Sequence, residues 1–317
     1  MRSVPIFLLL WASATLAQPY PARPVKIMAG ASPGGGIDIV SRLLADKFAE
    51  RFKQPFVVEN RPGASNTLAA DFTARAAPDG HTLMVATNTG QAIAPHLIKL
   101  GFDAQKDIQP VGLVVVVPNV VVVNTGVAAS TVGELLALLK AKPGEYRFAS
   151  VGVGSTQLIA AELFMRATGT KLTHIPYKGS SQAHIDLLGG QVEMMLDTSS
   201  SAMGQIKAGR LRALAVTTPK RAAELPNVPT LVESGIQGVE MSTWYGLFVT
   251  GGTPRPIVER LNAELQQALK LPDVLARLAG LGGEPGALSV QQFTEMNTAE
   301  YERFGRLIRE AAIRVDG

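Results

Sequence analysis

Short apolar runs alternate with amphipathic stretches along most of the chain, and this alternation limits the fold more than any other feature. Residues 25–29 have the length and composition of a buried strand. Residues 38–52 place Leu44, Phe48 and Phe52 on one face of a helix. Strand–helix–strand units of this kind form parallel sheets with helices on their faces. The sequence therefore predicts an α/β fold.

The same pattern gives the position of each element. We predict strands at residues 25–29, 56–59, 82–86, 111–117, 120–124, 146–150, 172–176, 192–196, 211–217 and 244–250. We predict helices at residues 38–52, 66–77, 132–141, 156–167, 183–188, 256–270 and 290–313. The valine-rich runs at 111–117 and 120–124 are typical of strands buried on both faces.

The alternation restarts after residue 110, which indicates two lobes. A chain of 317 residues also exceeds the roughly 250–300 residues at which single cores stop growing. Residues 117–124 and the proline-rich residues 225–229 are the candidate crossovers. We predict that residues 18–121 and 228–317 form the first lobe and residues 122–227 the second. Periodicity is compatible with this return of the chain, but it does not require it.

The N-terminus has the order of an export signal. A basic residue, Arg2, precedes the apolar residues 4–11 and the small residues 12–17. The apolar run is too short to cross a bilayer, which takes about 20 residues. We predict a signal peptide at residues 1–17 that is cleaved after Ala17. The alternative is a buried N-terminal strand.

Composition removes several function classes. The chain has no cysteine, which excludes thiolate nucleophiles, disulfides, zinc–cysteine sites and a lipoprotein anchor. A scattered formal charge of +4 gives no reason to expect nucleic acid or a membrane surface as a partner. The four histidines are well separated and form no metal-binding pair. We therefore predict neither a metal site nor a cofactor.

The loop at residues 32–38 is the strongest local signal. It lies between a predicted strand and a predicted helix, and its glycines would let a ligand approach backbone N–H groups at the helix start. The candidate ligand-binding residues are Ser32, Gly34, Gly35 and Asp38. Such a site suits a carboxylate or a phosphate. The structural alternative is a tight turn in which Asp38 only caps the helix.

Three enzyme motifs fail on inspection. Gly30-Ala31-Ser32-Pro33-Gly34 has the spacing of a hydrolase nucleophile elbow, but Pro33 lacks the N–H that would serve the oxyanion. No lysine ends this glycine run, as a P-loop requires. Gln157 replaces the third glycine of a dinucleotide pattern that starts at Gly152. The sequence shows no recognisable nucleophile–base pair, so we predict no catalysis.

Further candidates lie where other strands end. Gly154, Ser155, Thr156 and Gln157 repeat the order of strand, glycine, hydroxyl and helix, although the hydroxyls could be caps alone. At the carboxyl ends of other predicted strands we add Asn88, Thr89, Lys178 and Asp197, because ligands of open α/β sheets bind at that edge. Trp244 and Tyr245 are interpreted as fillers of a core or a domain seam. If the lobes face each other, two helix N-termini point into one cleft.

Ordered motifs along the mature chain give a family resemblance. They include Pro33-Gly34-Gly35-x-x-Asp38, residues 58–64 (VENRPGA), residues 76–83 (AAPDGHTL), residues 175–179 (IPYKG), residues 186–192 (DLLGGQV) and residues 244–248 (WYGLF). Together they resemble the Bug family, the periplasmic substrate-binding proteins of tripartite tricarboxylate transporters.

The resemblance implies a two-lobed, Venus-flytrap receptor of type II-like architecture with hinge strands. It implies that residues 32–38 and 152–157 hold a small mono- or dicarboxylate through backbone groups and waters, with Asn88, Thr89 and Asp197 around the same cleft. It also implies a periplasmic monomer that serves membrane transporter subunits. A ligand sensor for a signalling partner and a soluble hydrolase or transferase are the alternatives. The chain departs from the family pattern at Ala31, Ser32 and Gln157.

Overall fold

The computed structural model describes residues 20–311 and residue 313. The predicted signal peptide at residues 1–17 lies outside this part of the chain. The strands are β1 (Val25–Ala29), β2 (Phe56–Asn60), β3 (Thr82–Thr87), β4 (Ile108–Asn124), β5 (Arg147–Ser150), β6 (Thr173–Pro176), β7 (Met194–Thr198), β8 (Leu211–Val216), β9 (Ser242–Thr250) and β10 (Glu284–Pro285). The α-helices are α1 (Gly36–Phe52), α2 (Thr67–Ala74), α3 (Val132–Ala141), α4 (Thr156–Thr168), α5 (Ser180–Leu188), α6 (Ser199–Lys207), α7 (Arg255–Ala268), α8 (Pro272–Gly280) and α9 (Val290–Glu310).

The strands form two sheets that share β4. In the first sheet the order is β2-β1-β3-β9-β4, with the short β10 also paired to β4. Strands β1, β2 and β3 are parallel, whereas β9 runs antiparallel to both β3 and β4. In the second sheet β4 pairs antiparallel with β7 and β8, and β5 lies parallel between β7 and β6. The prediction of parallel sheets is therefore correct for the βαβ units and wrong for β4, β8 and β9.

Strand β4 changes partner in its middle. Up to Pro118 it pairs with β9, and from Asn119 onward it pairs with β7. The sequence predicted two strands here, at residues 111–117 and 120–124. Proline cannot donate to a ladder. Pro118 is tolerated because it lies where one ladder ends and the next begins. The two predicted strands are one strand of 17 residues that runs through both sheets.

Each sheet has its own apolar core. Phe48 of α1 and Leu247 of β9 belong to the first, and Phe148 of β5 and Phe164 of α4 belong to the second; all four are fully buried. Helix α9 connects them. Its Phe293 packs near the first sheet, and its Phe304 lies in the second core. Truncation of such a phenylalanine to alanine typically costs about 3–5 kcal/mol.

The molecule is thus a two-lobed α/β structure. The lobe limits at residues 121/122 and 227/228 stay a prediction, because β4 and α9 contribute to both cores. Leu231, Ile236 and Val239 pack in the second core, and the chain returns to the first sheet at Ser242. None of the helices in the described part of the chain is long and apolar enough to cross a membrane.

Candidate functional site

The loop before α1 is fixed by Asp38. The carboxylate accepts hydrogen bonds from the Gly34 amide (2.9 Å), from Asn60 Nδ2 (2.8 Å) and from Arg42 Nε (3.0 Å). Burial opposes ionisation of this group, but the hydrogen bonds from Arg42, Gly34 and Asn60 outweigh it, so the pKa of Asp38 lies below its usual value. All of its partners belong to the first lobe. Asp38 therefore fixes the conformation of the glycine loop without lining the cavity itself.

The loop before α4 is fixed by capping and close packing. Ser155 accepts a hydrogen bond from the Leu158 amide (3.2 Å), as an N-cap residue does. Gly154 has a φ of +80°, and a Cβ there would lie 2.8 Å from Ala94 Cα. The amide of Thr156 donates to Thr89 Oγ1 at 3.2 Å. Thr89 begins a short π-helical segment, Thr89–Ile93, which is separated from β3 by Asn88 alone.

These two loops open into one cavity between the sheets, where four helices begin. The first residues of α1, α4, α5 and α6, or the residues just before them, contribute to its wall. The cavity has a volume of about 40 Å³. It is lined by Ala31, Gly35, Gly36, Ile37, Asn66, Thr87, Thr89, Val151, Thr156, Gln157, Gly179, Ser180, Thr198, Ser201, Thr243 and Tyr245. Within the described residues, no charged side chain lines it.

A buried carboxylate lies directly behind this wall. Asp197, at the end of β7, is fully buried and accepts hydrogen bonds from Gln157 Nε2 (3.1 Å), Ser180 Oγ (2.9 Å) and His184 Nε2 (2.8 Å). Gln157 and Ser180 also line the cavity. Asp197 therefore orients two cavity side chains of the second lobe.

Hydrogen bonds cross between the lobes around the cavity. The Gly36 amide at the start of α1 donates to Ser201 Oγ of α6 at 3.1 Å. Ser181 Oγ donates to the Pro33 carbonyl at 3.0 Å. Ser65 Oγ donates to the Val153 carbonyl. The structure is therefore a closed arrangement in which the lobes touch on both sides of the cavity.

Tyr245 has two roles that the sequence did not separate. Its ring lies in the first core, as the interpretation as a core or seam residue implied. Its hydroxyl reaches the cavity and lies 2.6 Å from Ser200 Oγ. Burial raises the pKa of Tyr245 to about 12, so the phenol keeps its proton at neutral pH.

The structure separates the predicted site residues into three groups. Gly35, Thr89, Thr156 and Gln157 line the cavity. Buried residues without a place in its wall are Ser32, Asp38, Asn88, Gly154, Ser155 and Asp197. Gly34 and Lys178 are exposed on the surface. Sequence reasoning missed Asn66, Ser180, Ser201 and Tyr245. The serines stand at the starts of α5 and α6, where a hydroxyl following a strand was an available signal.

The Asn88 side chain is held in place by the start of β9, where the chain returns to the first sheet. Its Nδ2 donates to the Ser242 carbonyl at 3.0 Å, where β9 begins. Its Oδ1 is buried and has no hydrogen-bond partner in the structure. Asn88 therefore ties the end of β3 to the segment that enters the first sheet.

Two lobes that share a strand and enclose a neutral, amide-rich cavity define a solute-binding receptor of the periplasmic type, a class without catalysis. The chain matches the family model of the tripartite tricarboxylate transporter family receptor (TctC) over residues 40–313. It belongs to this family of periplasmic receptors, which confirms the resemblance to Bug proteins.

Relatives and solved structures agree with this assignment. Protein BugT of Bordetella pertussis is 33% identical over 309 residues, which is 96% of this chain and 94% of BugT. A structure of R. palustris Rpa4515 with adipate has a TM-score of 0.90 and 32% identity, and the match covers 93% of this chain and 99% of that one. MatC from Rhodopseudomonas palustris with bound malate has a TM-score of 0.87 and 31% identity, and the match covers 91% and 100%.

Proposed function

We propose that this receptor captures a small organic carboxylate in the interlobe cavity and delivers it to the membrane subunits of a tripartite tricarboxylate-type transporter. The observation that carries the proposal is the convergence of four helix starts on one cavity without charged lining residues. Helix N-termini stabilise anions through free amides and the helix dipole. The adipate and malate held by two relatives support a carboxylate ligand.

Binding by this route requires the lobes to open. A cavity of about 40 Å³ has room for about two or three water molecules. A carboxylate would enter between separated lobes and replace Ser201 Oγ as the acceptor of the Gly36 amide. Closure would then bury the ligand, and the closed form would be the one that the membrane subunits recognise.

We propose further that the chain is exported and acts as a single subunit. The signal peptide at residues 1–17 directs the chain to the periplasm and is cleaved after Ala17, and the mature protein acts as a monomer. Intact mass of the periplasmic protein tests the cleavage site, and light scattering tests the monomer. Co-purification from membranes with the transporter subunits tests delivery, whereas capture of a sensor protein instead would contradict it.

Thermal unfolding of residues 18–317 in a panel of carboxylates tests ligand capture. A ligand at a hundredfold excess over its Kd stabilises the folded state by about 2.7 kcal/mol, so the melting temperature should rise. Ser201→Ala removes a cavity hydroxyl and should reduce this rise. Ser234→Ala is the matched control, because Ser234 Oγ bonds the Thr230 carbonyl away from the cavity. The proposal fails if no carboxylate shifts the melting temperature.

A further inference from the structure

Residues 64–66, at the edge of the interlobe cavity, form a left-handed turn. Among the residues that the structure describes, four that are not glycine have a positive φ, and three of these are consecutive: Ala64 (+45°), Ser65 (+52°) and Asn66 (+73°). In this conformation the β-carbon of an L-residue crowds the following carbonyl oxygen, so it normally occurs at single residues. Asparagine tolerates it better than alanine or serine. Ala64 and Ser65 therefore carry most of the strain.

Contacts within the first lobe hold the two ends of the left-handed turn. The Asn66 amide donates to the Gly63 carbonyl at 3.0 Å. Thr67 Oγ1 donates to the Ala64 carbonyl at 2.6 Å. Ser65, in the middle of the turn, instead faces the second lobe.

The second lobe holds the middle of the left-handed turn. Ser65 is 3% exposed, and its hydroxyl donates to the Val153 carbonyl in the loop before α4. Gly152 (φ +102°) lies against this hydroxyl, since a Cβ there would be 3.2 Å from Ser65 Oγ. The strained Ser65 is thus bonded to the lobe that separates from its own when the cavity opens.

This arrangement makes the strain depend on closure. A strained conformation persists where the surrounding structure compensates for its cost, and such residues cluster at ligand clamps and switch regions. The compensation through Ser65 exists only while the lobes are in contact, because the Val153 carbonyl belongs to the opposite lobe. When the lobes separate, the turn loses this hydrogen bond and is able to relax. The strain therefore opposes closure, and the hydrogen bond favours it.

We propose that the left-handed turn sets how tightly the receptor holds its carboxylate. Ser65 is a positioning residue that favours the closed form, and the strained backbone at Ala64 favours the open form. This inference rests on the proposed function and goes beyond it, because neither residue lines the cavity. Two neighbouring residues thus act on affinity in opposite directions.

Substitutions of opposite effect test this balance in residues 18–317. Ala64→Gly relieves the backbone strain and should strengthen the binding of malate or adipate by about two- to tenfold, through slower release. Ser65→Ala keeps the strain, loses the hydrogen bond to Val153 and should weaken binding by about two- to tenfold. Calorimetry measures the affinity, and stopped-flow kinetics measures the release rate.

Lys53→Gly is the matched control for relief of strain. Lys53 also has a left-handed backbone (φ +56°), but it is exposed and lies at the end of α1. Its replacement by glycine should raise the free energy of unfolding in urea and leave the affinity for both acids unchanged.

The outcomes separate this inference from the proposed function. If Ala64→Gly raises the free energy of unfolding without changing affinity or release, the strain belongs to the first lobe alone and the inference is wrong. Loss of affinity in both variants would also overturn it. If no carboxylate binds the wild-type protein, the proposed function fails, and small-angle scattering without acid decides the inference. Ala64→Gly should then have a smaller radius of gyration than Ser65→Ala, and equal radii would contradict the role of the turn.

Discussion

At the scale of single residues, Asp38 shows how a side chain at a binding loop can act without contacting the cavity. Its carboxylate holds the Gly34 amide, Asn60 and Arg42 on the outer side of the loop. The sequence analysis named Asp38 as a candidate ligand-binding residue of the glycine loop, with a helix cap as the alternative. The structure places it one layer farther out, where it positions Gly35 and Gly36.

We expect Asp38→Ala to lower the free energy of unfolding by about 1–3 kcal/mol, because three polar groups lose a buried acceptor. Urea unfolding measures this difference. Asp71→Ala is the matched control, since Asp71 forms an exposed pair with Arg75 that solvent screens. A loss at position 38 no larger than that at position 71 would contradict the assigned role.

We expect two histidines, His96 and His174, to make the stability of the protein depend on pH. Burial lowers the pKa of His174, which stacks on Phe148. Burial also lowers the pKa of His96, and this effect outweighs the hydrogen bond that the His96 ring donates to the Tyr301 carbonyl, which raises the pKa. The unfolded chain binds protons on these rings that the folded chain does not. The free energy of unfolding should therefore fall as the pH drops below the ordinary value of 6.5. Asp38 acts in a lower range, below its ordinary value of 3.8.

Guanidinium unfolding between pH 5 and pH 8 measures this dependence. We expect the double variant His96→Gln, His174→Gln to show a flatter pH profile than the wild-type protein, whatever its stability at pH 8. An unchanged slope would mean that other groups cause the loss at low pH.

At the scale of helices and strands, the sequence located most elements but not their partners. The valine-rich runs and the strongly amphipathic helices α7 and α9 stand out because their apolar spacing is regular. Helix α6 was missed because Ser199, Ser200 and Ser201 favour caps and turns over helix interiors. Packing of Ala202 and Met203 holds that helix in place. Pairing of β4 with strands far along the chain is a tertiary property that local spacing does not contain.

The same reasoning explains how much of the site was found. Glycine and hydroxyl patterns after strands predicted Gly35, Thr89, Thr156 and Gln157 as ligand-binding residues. All four line the cavity, and their contact with a ligand stays a prediction. Ser201 and Tyr245 reach the cavity only because the lobes close on each other. Their place beside each other depends on the whole fold, which the local spacing of residues does not contain.

The start of α1 offers a test of closure. A Cβ at Gly36 would lie 2.5 Å from Ser200 Oγ of the other lobe and would also clash with the Tyr245 hydroxyl. We expect Gly36→Ala to prevent full closure and to weaken ligand binding by more than about tenfold. Calorimetry measures the affinity and small-angle scattering the radius of gyration. Gly133→Ala in the first turn of α3 should leave both unchanged, because its nearest atom is 3.9 Å away.

At the scale of the whole molecule, the absence of cysteine makes closure directly measurable. Two introduced cysteines, Glu50→Cys on α1 and Lys140→Cys on α3, provide exposed labelling sites, one on each lobe. We expect energy transfer between dyes at these sites to rise when a carboxylate binds, because the ligand adds contacts that only the closed form can make. Saturation with a ligand that calorimetry shows to bind, without any change in transfer, would contradict closure.

The shared strand β4 has a consequence for how the molecule unfolds. Its first part pairs with β9 and its second part pairs with β7. Helix α9 is divided in the same way, because Phe293 packs near the first sheet and Phe304 lies in the second core. Neither half can melt without withdrawing backbone partners from the other, so denaturation should be a single cooperative transition. For the same reason, a gene fragment that encodes only one half would yield a polypeptide lacking part of its own sheet.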